Sequence, residues 1–433
     1  MILVYTPVIK PRIQYIFKHF FCVRMEEEIS FTSDLSTFIA HIGPKMSYAD
    51  APLGNEFFMQ AHGLLAEQGI NAIEARVFDW DGLPAFFASA DKSALPFDFF
   101  AASFYLLTRY EEYHPYVSDE LGRFTATQSL AHQYNFLHTP LVDLWFERFL
   151  NAWNAFFGTA KSPTSKYSKA FTLLVDVPQL YAFKHKGVLR SFFEGIRDLT
   201  QLKFVPFFDR VTVGLGFRKD PLEGLLNWLE DFIQKQPTTP MFFVLHAALG
   251  IHDKGLSVFN AAHQQGIKSL SDFAPTAPLA SYESFLHPEE LAVDIERFSG
   301  LIHRPVKAIR QHHLALRFPN TYRKFAELGI KNDYSMQYPN LPGFRASTAF
   351  PFRFYDLSDE QQTPLTIHPV CISEAHLRKQ RFSRKMRQLF LEYQNRLQEL
   401  GAPFVVALTN ESFNLRSHNG AFLKGLTKLL THA

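Results

Sequence analysis

The sequence predicts a mixed α/β protein in which strands and helices alternate around a parallel sheet or barrel. Short apolar runs typical of buried strands recur along the chain, and longer segments with helical periodicity lie between them. With 433 residues, the chain exceeds one ordinary domain and is predicted to form two. Hydrophobic residues make up 47% and charged residues 20%, a balance typical of folded globular proteins.

Residues 1–160 are predicted to form a smaller mixed α/β domain. Residues 2–6 favour a strand, and a helix is predicted to follow with Pro11 in its first turn, where proline is well tolerated. Asp98 is the predicted N-cap of a helix over residues 98–113. A second helix is predicted over residues 140–157.

A linker is predicted over residues 158–169, which are rich in Ser, Lys, Thr and Pro. Beyond it, residues 170–433 are predicted to form the larger domain. Strands are predicted at 172–175, 241–245 and 404–408, and helices at 221–233 and 383–400. This alternation favours βα units, because parallel strands need crossover connections.

Composition and motifs exclude several classes of function. The formal charge of +2 predicts neither a nucleic-acid nor a membrane partner. Cys22 and Cys371 are the only cysteines, too few for a disulfide framework or a thiolate zinc site. No apolar run reaches the roughly 20 residues of a membrane span, and the N-terminus lacks a signal-peptide pattern, so a cytoplasmic location is expected.

Common catalytic signatures are also missing. The sequence contains no Gly-x-Ser-x-Gly elbow, no Gly-x4-Gly-Lys phosphate loop and no His-Glu-x-x-His zinc motif. None of the 18 histidines has another four residues on. The best candidate is Asp176, near the end of the apolar run FTLLVDV, because α/β barrels carry their chemistry at strand C-termini. Capping the next helix is its alternative role.

Several segments in order carry a more specific signal. They are LVYTP at Leu3, PFDFFAASFYLLTRYEEY at Pro96, DELGRF at Asp119, PLVDLW at Pro140, YAFKHKG at Tyr181, FRKDPLEGLLNWL at Phe217, HPEELAVDIERF at His287, RQHHLALRFPNTY at Arg310, DYSMQYPNLPGFRAST at Asp333, PFRFYDL at Pro351 and FVVALTNESF at Phe404. Together they resemble the NodB-like polysaccharide deacetylases, in a bacterial branch with an extra N-terminal domain. The resemblance spans nearly the whole chain. It implies a distorted (β/α) barrel of the NodB type over residues 170–433, preceded by the smaller domain.

The resemblance also implies a chemistry. In this family an aspartate and two histidines hold a divalent metal that polarises the acetyl carbonyl and its bound water. Another aspartate is the general base, an arginine orients it, and a late histidine protonates the leaving amine. Carried onto this chain, Asp176 is the base and Arg345 the arginine, while Asn410 belongs to the late motif.

Three positions depart from the family pattern. Pro178 stands at the metal aspartate and Leu279 at a metal histidine, and neither side chain has a ligating atom. Thr409 stands at the general acid, where its hydroxyl can donate a hydrogen bond but has too high a pKa for acid catalysis. If any ligand position survives, it is His312.

These departures favour a deacetylase-like protein of carbohydrate metabolism with a degenerate metal site, which binds a glycan, such as an N-acetylated sugar, or a partner. No cofactor is then expected. Arg345 would hold Asp176 in a structural ion pair. The predicted substrate-binding residues are Arg310, His312, His313, Asp333 and His368.

Two alternatives stay open. The first is an active N-deacetylase, a hydrolase of non-peptide C–N bonds, with zinc in a rearranged site. Its ligands would converge from Asp176, His312, His313 and His368. In the second, the N-terminal domain is the functional part. Its charged residues are Arg109, Glu111, Glu112 and Arg123, a set that is also typical of an interdomain ion-pair network. No oligomeric state is predicted.

Overall fold

The chain folds around two sheets of parallel strands, one from each half of the sequence. In this computed structural model the described residues are 1–164, 166–167, 171–223, 239–379, 383–413 and 429. None of the helices in these ranges is both long enough and apolar enough to cross a bilayer.

The first sheet has four strands, all paired in parallel, in the order β2-β1-β3-β4. Their bounds are β1 Ile2–Tyr5, β2 Ile29–Thr32, β3 Lys45–Ala49 and β4 Phe57–Gln60. A two-stranded hairpin, β5 Phe78–Trp80 and β6 Leu83–Ala85, follows. The helices are α1 Pro11–Lys18, extended by a π-helical segment His19–Arg24, then α2 Leu35–Ala40, α3 Phe99–Leu107, α4 Leu130–Gln133 and α5 Leu141–Phe157.

The predicted helix over residues 98–113 is divided in the structure. Asp98 is its N-cap as predicted, and its carboxylate accepts the Ala101 amide hydrogen at 2.9 Å. Helix α3 then ends at Leu107, because Arg109 adopts a left-handed conformation with φ 57° that no α-helix continues. A 3₁₀ turn, Tyr110–Tyr113, completes the segment.

The second sheet has nine strands in the order β12-β13-β11-β10-β9-β8-β7-β15-β14. They are β7 Phe171–Val177, β8 Met241–Val244, β9 Thr276–Ala280, β10 Ala308–Gln311, β11 Asn332–Asp333, β12 Phe352–Asp356, β13 Gln361–Ile367, β14 Ile372–Ser373 and β15 Phe404–Thr409. Every pair is parallel except β12 with β13. The predicted strands at 172–175, 241–245 and 404–408 are therefore confirmed to within two residues.

The expectation of a barrel needs correction, because the described residues form no closed barrel. A barrel closes when its edge strands pair. Here the edges are β12, which runs antiparallel to its neighbour, and β14, which is only two residues long, and they do not pair with each other. The mixed α/β class with parallel strands is correct.

Helices connect these strands: α6 Val188–Thr200, α7 Phe204–Gly214, α8 Ala261–Phe273, α9 Tyr282–Leu286, α10 Glu290–Ile302, α11 Asn320–Glu327, α12 Glu374–Lys379 and α13 Ser383–Glu399. Helix α13 matches the helix predicted over residues 383–400. Of the helix predicted over 221–233, Pro221–Glu223 forms a 3₁₀ turn, and residues 224–233 lie outside the described residues.

The largest hydrophobic core joins the two halves of the chain. It includes α1, α3 and α5 together with residues of β12 and β13. The rings of Phe104 and Tyr355 meet edge to face at 5.3 Å, and the Tyr15 hydroxyl donates to the Arg353 carbonyl at 2.7 Å. A second core packs α8 and α13 against β7 and β15. Residues 1–158 are thereby fixed against one end of the large sheet.

Candidate functional site

A cleft of about 800 Å³ opens at the carboxyl ends of β7, β10 and β15. Asp176, Arg310 and Thr409 from these strands line it. Helices α6 and α7 contribute charged side chains to another part of its lining. Arg123, from the first half of the chain, reaches the cleft and donates its Nη1 hydrogen to the His313 carbonyl at 2.6 Å. Both halves of the protein therefore shape the cavity.

Asp176 and Arg310 form an ion pair in this cleft. The Arg310 Nε atom lies 2.9 Å from the Asp176 carboxylate, and the two side chains are 2% and 18% exposed for arginine and aspartate, respectively. Arg310 also donates from Nη2 to Gln337 Oε1 at 3.0 Å and from Nη1 to the Tyr334 carbonyl. All three guanidinium nitrogens are therefore occupied, and the pair is a fixed feature of the site.

The expectation that Arg345 holds Asp176 is wrong. Arg345 is 1% exposed and lies behind the cleft, where its Nη2 is 2.5 Å from Glu112 Oε2. Glu112 also accepts from Arg109 Nε at 2.8 Å. Arg345 follows β11 on a segment that packs against the first half of the chain, so its partner is 233 positions away. Arg310 pairs with Asp176 instead, because it lies in β10, on the cleft side.

Three of the charged residues singled out in the first half of the chain, Arg109, Glu111 and Glu112, form part of this buried ion-pair network. Arg109 donates to Glu111 at 2.6 Å and to the Tyr338 hydroxyl at 2.8 Å, in addition to Glu112. Glu112 joins Arg109 to Arg345 and so connects the two halves of the chain. Burial alone would raise the pKa of Glu112, but Arg345 and Arg109 keep it below its ordinary value.

The three positions that depart from the family pattern lie next to this ion pair. Thr409 is the register partner of Asp176, and Leu279 is the register partner of Arg310. Leu279 is 2% exposed and packs in the apolar interior. Thr409 donates its amide and hydroxyl hydrogens to Glu374 at 2.9 and 2.8 Å. Pro178 lines the cleft just after β7.

His312 and His313 also line the cleft, beside an aspartate that the sequence did not single out. His312 Nδ1 lies 2.8 Å from Asp253 Oδ1, and the two imidazoles stack at 3.8 Å. Asp253 also accepts the amide hydrogens of Tyr282 and Glu283, each at 2.9 Å. Burial opposes ionisation of Asp253, but these hydrogen bonds keep its pKa below the ordinary value.

His313 adopts a left-handed backbone conformation with φ 56°, as does the following Leu314 with φ 55°. Such conformations are uncommon outside glycine and often occur at functional sites. Burial, followed by the neighbouring His312, lowers the pKa of His313 to about 4. The His313 imidazole is therefore neutral near pH 7.

The residues present do not fit the metal that the resemblance implies. Neither Pro178 nor Leu279 carries a side-chain atom that can bind a metal. Across the part of the chain that the structure describes, no three His, Cys, Asp or Glu side chains are grouped as a metal site requires. Of the ligand positions that the resemblance implies, only His312 has a donor atom, and its Nδ1 faces Asp253.

His368, predicted to reach the same site, does not line the cleft. It stacks on Tyr334 with ring centroids 4.5 Å apart, and its Nε2 meets Asn332 Oδ1 at 2.9 Å. Burial lowers its pKa to about 4. It contributes instead to a separate cavity of about 160 Å³. The rearranged set of Asp176, His312, His313 and His368 is therefore not assembled around one point.

Asp333 and Asn410 lie outside the cleft lining and act as internal supports. Asp333 is fully buried and accepts from the Tyr322 hydroxyl at 2.8 Å and from Ser335 Oγ at 2.5 Å, while burial raises its pKa to about 6. Asn410 donates from Nδ2 to the Gln179 carbonyl at 2.7 Å. That bond fixes the chain immediately after Pro178.

The sequence reading missed Asp253 and Glu374. Both are buried acids that hold cleft residues, Asp253 through His312 and Glu374 through Thr409. A signal existed for Asp253, which follows His252 in a loop shortly after an apolar strand run. Glu374 follows the two-residue strand β14, which is too short to form a recognisable pattern.

Comparisons with known proteins give one family match and several similar solved structures. Residues 2–158 match the model of a family described as a family of unknown function, DUF7033. No curated protein matches the chain.

Solved structures similar to this chain include a protein from Mycobacterium smegmatis described as a polysaccharide deacetylase. The two are 13% identical, with a TM-score of 0.38, over 61% of this chain and 82% of the other. PuuE allantoinase is 10% identical with a TM-score of 0.38, over 62% and 85%. A mutant of a CE4 family pseudoenzyme with restored enzymatic activity is 9% identical with a TM-score of 0.26, over 61% and 64%.

Proposed function

We propose that the cleft binds a glycan and does not carry out metal-dependent deacetylation. The observation that carries this proposal is the set of three replacements around the Asp176–Arg310 ion pair. Thr409 lies beside Asp176 in the register, Leu279 lies beside Arg310, and Pro178 lines the cleft just after β7. An arginine that holds the base belongs to the pattern that the resemblance implies, so the ion pair alone is compatible with catalysis. The two metal positions, however, carry side chains without a ligating atom, and the hydroxyl at the acid position cannot protonate a leaving amine near neutral pH.

The lining suits a sugar that carries negative charge. Lysine and arginine outnumber carboxylates there, with Arg123, Lys186, Arg190, Arg197, Arg210, Lys254 and Arg310 against Asp176, Glu194, Glu374 and Glu411. Most of these cations pair with acids, but Lys254 and Arg197 form no ion pair with any described residue. Phe183 and His313 add ring surface on which a sugar face can stack. An acidic, N-acetylated glycan matches this combination.

Binding to acidic and neutral N-acetylated oligosaccharides, measured by calorimetry, tests the proposal. With EDTA present throughout, the acidic oligosaccharides are expected to bind more tightly than the neutral ones. Lys254→Ala is expected to weaken binding by about fivefold, the effect of losing one exposed charge contact of about 1 kcal/mol. Lys92→Ala, an exposed lysine outside the cleft, is the control. Acetate release that requires added zinc would refute the proposal.

A second candidate function, metal-independent hydrolysis, rests on the Asp253–His312 pair. An aspartate on one imidazole nitrogen orients the other nitrogen as a general base. His312 Nδ1 is held by Asp253 at 2.8 Å, and among the described residues Nε2 has no hydrogen-bond partner. This candidate predicts acetate release from N-acetylated or O-acetylated sugars in EDTA. That release would disappear in His312→Ala and persist in His368→Ala.

A further inference from the structure

The hairpin formed by helices α6 and α7 exposes an apolar surface beside the cleft. Large side chains along both helices and their connections are between 61% and 78% exposed, namely Phe192, Phe193, Leu202, Val205, Phe208 and Phe217. A folded protein rarely leaves so many neighbouring large apolar side chains in water without a partner.

The hairpin is amphipathic, but its charged face points inward and its apolar face points outward. Helices of globular proteins normally turn their apolar face towards the core. Here the inward face is charged: Arg210 is 9% exposed and donates to Glu194 at 2.7 Å and to Asp198 at 2.9 Å. Lys186 Nζ lies 3.7 Å from the same Glu194 carboxylate. The ion pairs hold the two helices together and leave the apolar face outward.

A neighbouring loop adds to this apolar surface. Arg190 of α6 donates from Nη1 to the Gly255 carbonyl at 2.8 Å, which attaches the loop after β8 to the hairpin. That loop exposes Ile251 and Phe259, each at 84%. The loop that carries Asp253 and His252 at the cleft is therefore attached to the hairpin and adds two exposed apolar side chains beside it.

The same segment has an excess of positive charge. Residues 184–219 contain eight Lys and Arg against three Asp and Glu, a net charge of +5. The whole chain is +2, so the remainder is −3. The hairpin therefore attracts an anionic surface, while the remainder of the chain carries a net negative charge. The small total charge, which argued against an anionic lipid partner, hides this asymmetry.

We propose that the α6–α7 hairpin docks on the surface of a bilayer that contains anionic lipid. Helices that lie in a membrane interface combine Phe and Leu on one face with Lys and Arg on the flanks. Leu202 and Val205 lie at and just after the turn between the two helices and would enter the acyl boundary first. Lys203, on the same turn, would meet lipid phosphate. This inference does not depend on the proposed glycan function.

Co-sedimentation of the full chain with vesicles tests the proposal. We expect binding to vesicles of phosphatidylcholine with phosphatidylglycerol, and much weaker binding to phosphatidylcholine alone. Leu202→Ser/Val205→Ser is expected to reduce binding by about tenfold or more, because it removes the leading apolar contacts. The matched control is Ile39→Ser/Ile42→Ser, which alters two apolar residues of the first half of the chain that are at least about as exposed as Leu202 and Val205. Lys203→Glu tests the charge contribution and should also weaken binding.

All variants change exposed side chains, so their thermal unfolding midpoints should stay close to that of the wild type. Two outcomes would overturn the proposal: no binding to either vesicle, or equal binding to both. If vesicle binding is absent and light scattering shows a wild-type dimer that Leu202→Ser/Val205→Ser dissociates, the surface binds a second copy of the chain instead.

Discussion

Arg310 of β10 donates to the Asp176 carboxylate of β7 at 2.9 Å, although two strands, β8 and β9, lie between them in the sheet. Three strand spacings in a flat sheet amount to roughly 14 Å, more than an arginine side chain spans. The sheet therefore curves strongly on this face, even though its edges do not pair. The ion pair is both a result of that curvature and a brace across it.

Loss of Arg310 should destabilise the fold. Arg310→Ala leaves Asp176 without its cation and Gln337 without its donor, and it is expected to cost about 3 kcal/mol of unfolding free energy. Urea denaturation measures this cost. Arg310→Ala/Asp176→Asn should cost less than the sum of the two single changes, because the unpaired charge is gone. Simple additivity would contradict the pairing.

The buried Glu112 should make stability depend on pH. Glu112→Gln weakens its links to Arg345 and Arg109 and is expected to cost about 3 kcal/mol at pH 7. Because the folded pKa of Glu112 is depressed, its contribution is complete above its unfolded pKa, about 4.3, and is lost as the pH falls through the folded value.

The measurement for Glu112 is urea denaturation of wild type and Glu112→Gln at several pH values. The difference between them should be constant from pH 6 to 7 and should shrink below about pH 4. Glu74→Gln removes one member of an exposed pair with Arg76 and should show almost no difference at any pH. A Glu112 difference that grows as the pH falls would contradict the assigned direction of the pKa.

Gly343 marks a close approach between the two halves of the chain. Its φ is +135°, and a Cβ atom there would lie 2.4 Å from the Leu137 carbonyl oxygen. Gly343→Ala is expected to cost about 2 to 4 kcal/mol, because backbone must move on both sides. Gly300→Ala, in helix α10 with open space around the new methyl group, should stabilise by about 0.5 to 1 kcal/mol. Thermal unfolding of the two variants measures both effects. The midpoint should fall for Gly343→Ala and rise slightly for Gly300→Ala.

Asp253 is expected to support the cleft as well as His312. Asp253→Ala leaves the amides of Tyr282 and Glu283 without their acceptor and should cost about 2 kcal/mol. Asp253→Asn keeps an acceptor oxygen and should cost less. Lys254→Ala, one residue on but exposed, should leave the unfolding free energy unchanged. Equal losses in Asp253→Ala and Lys254→Ala would rule out this role.

The local patterns of the sequence predicted the strands and the position of Asp176 well. A buried strand is a continuous apolar run, and its carboxyl end follows directly from the chain direction. The register of the sheet puts Thr409 beside Asp176 and Leu279 beside Arg310.

Partners distant in sequence could not be predicted in the same way. Arg310 lies in β10 and Arg345 in the connection between β11 and β12, and only the packing of the first half of the chain decides that Arg345 faces Glu112. Barrel closure depends on whether β12 and β14 meet, which the alternation of strands and helices does not determine. An apolar face like that of α6 is normally predicted to pack in the core. Helical periodicity shows that one face is apolar, but it does not show whether that face points inward or outward.

Calorimetric titration of zinc into the purified chain shows whether the cleft holds a metal. We expect no site of one zinc per chain in the cleft, so wild type and His312→Ala should give the same titration. A single tight zinc site in the wild type that is lost in His312→Ala, with acetate released from N-acetylated sugars when it is filled, would disprove the proposed absence of metal-dependent deacetylation.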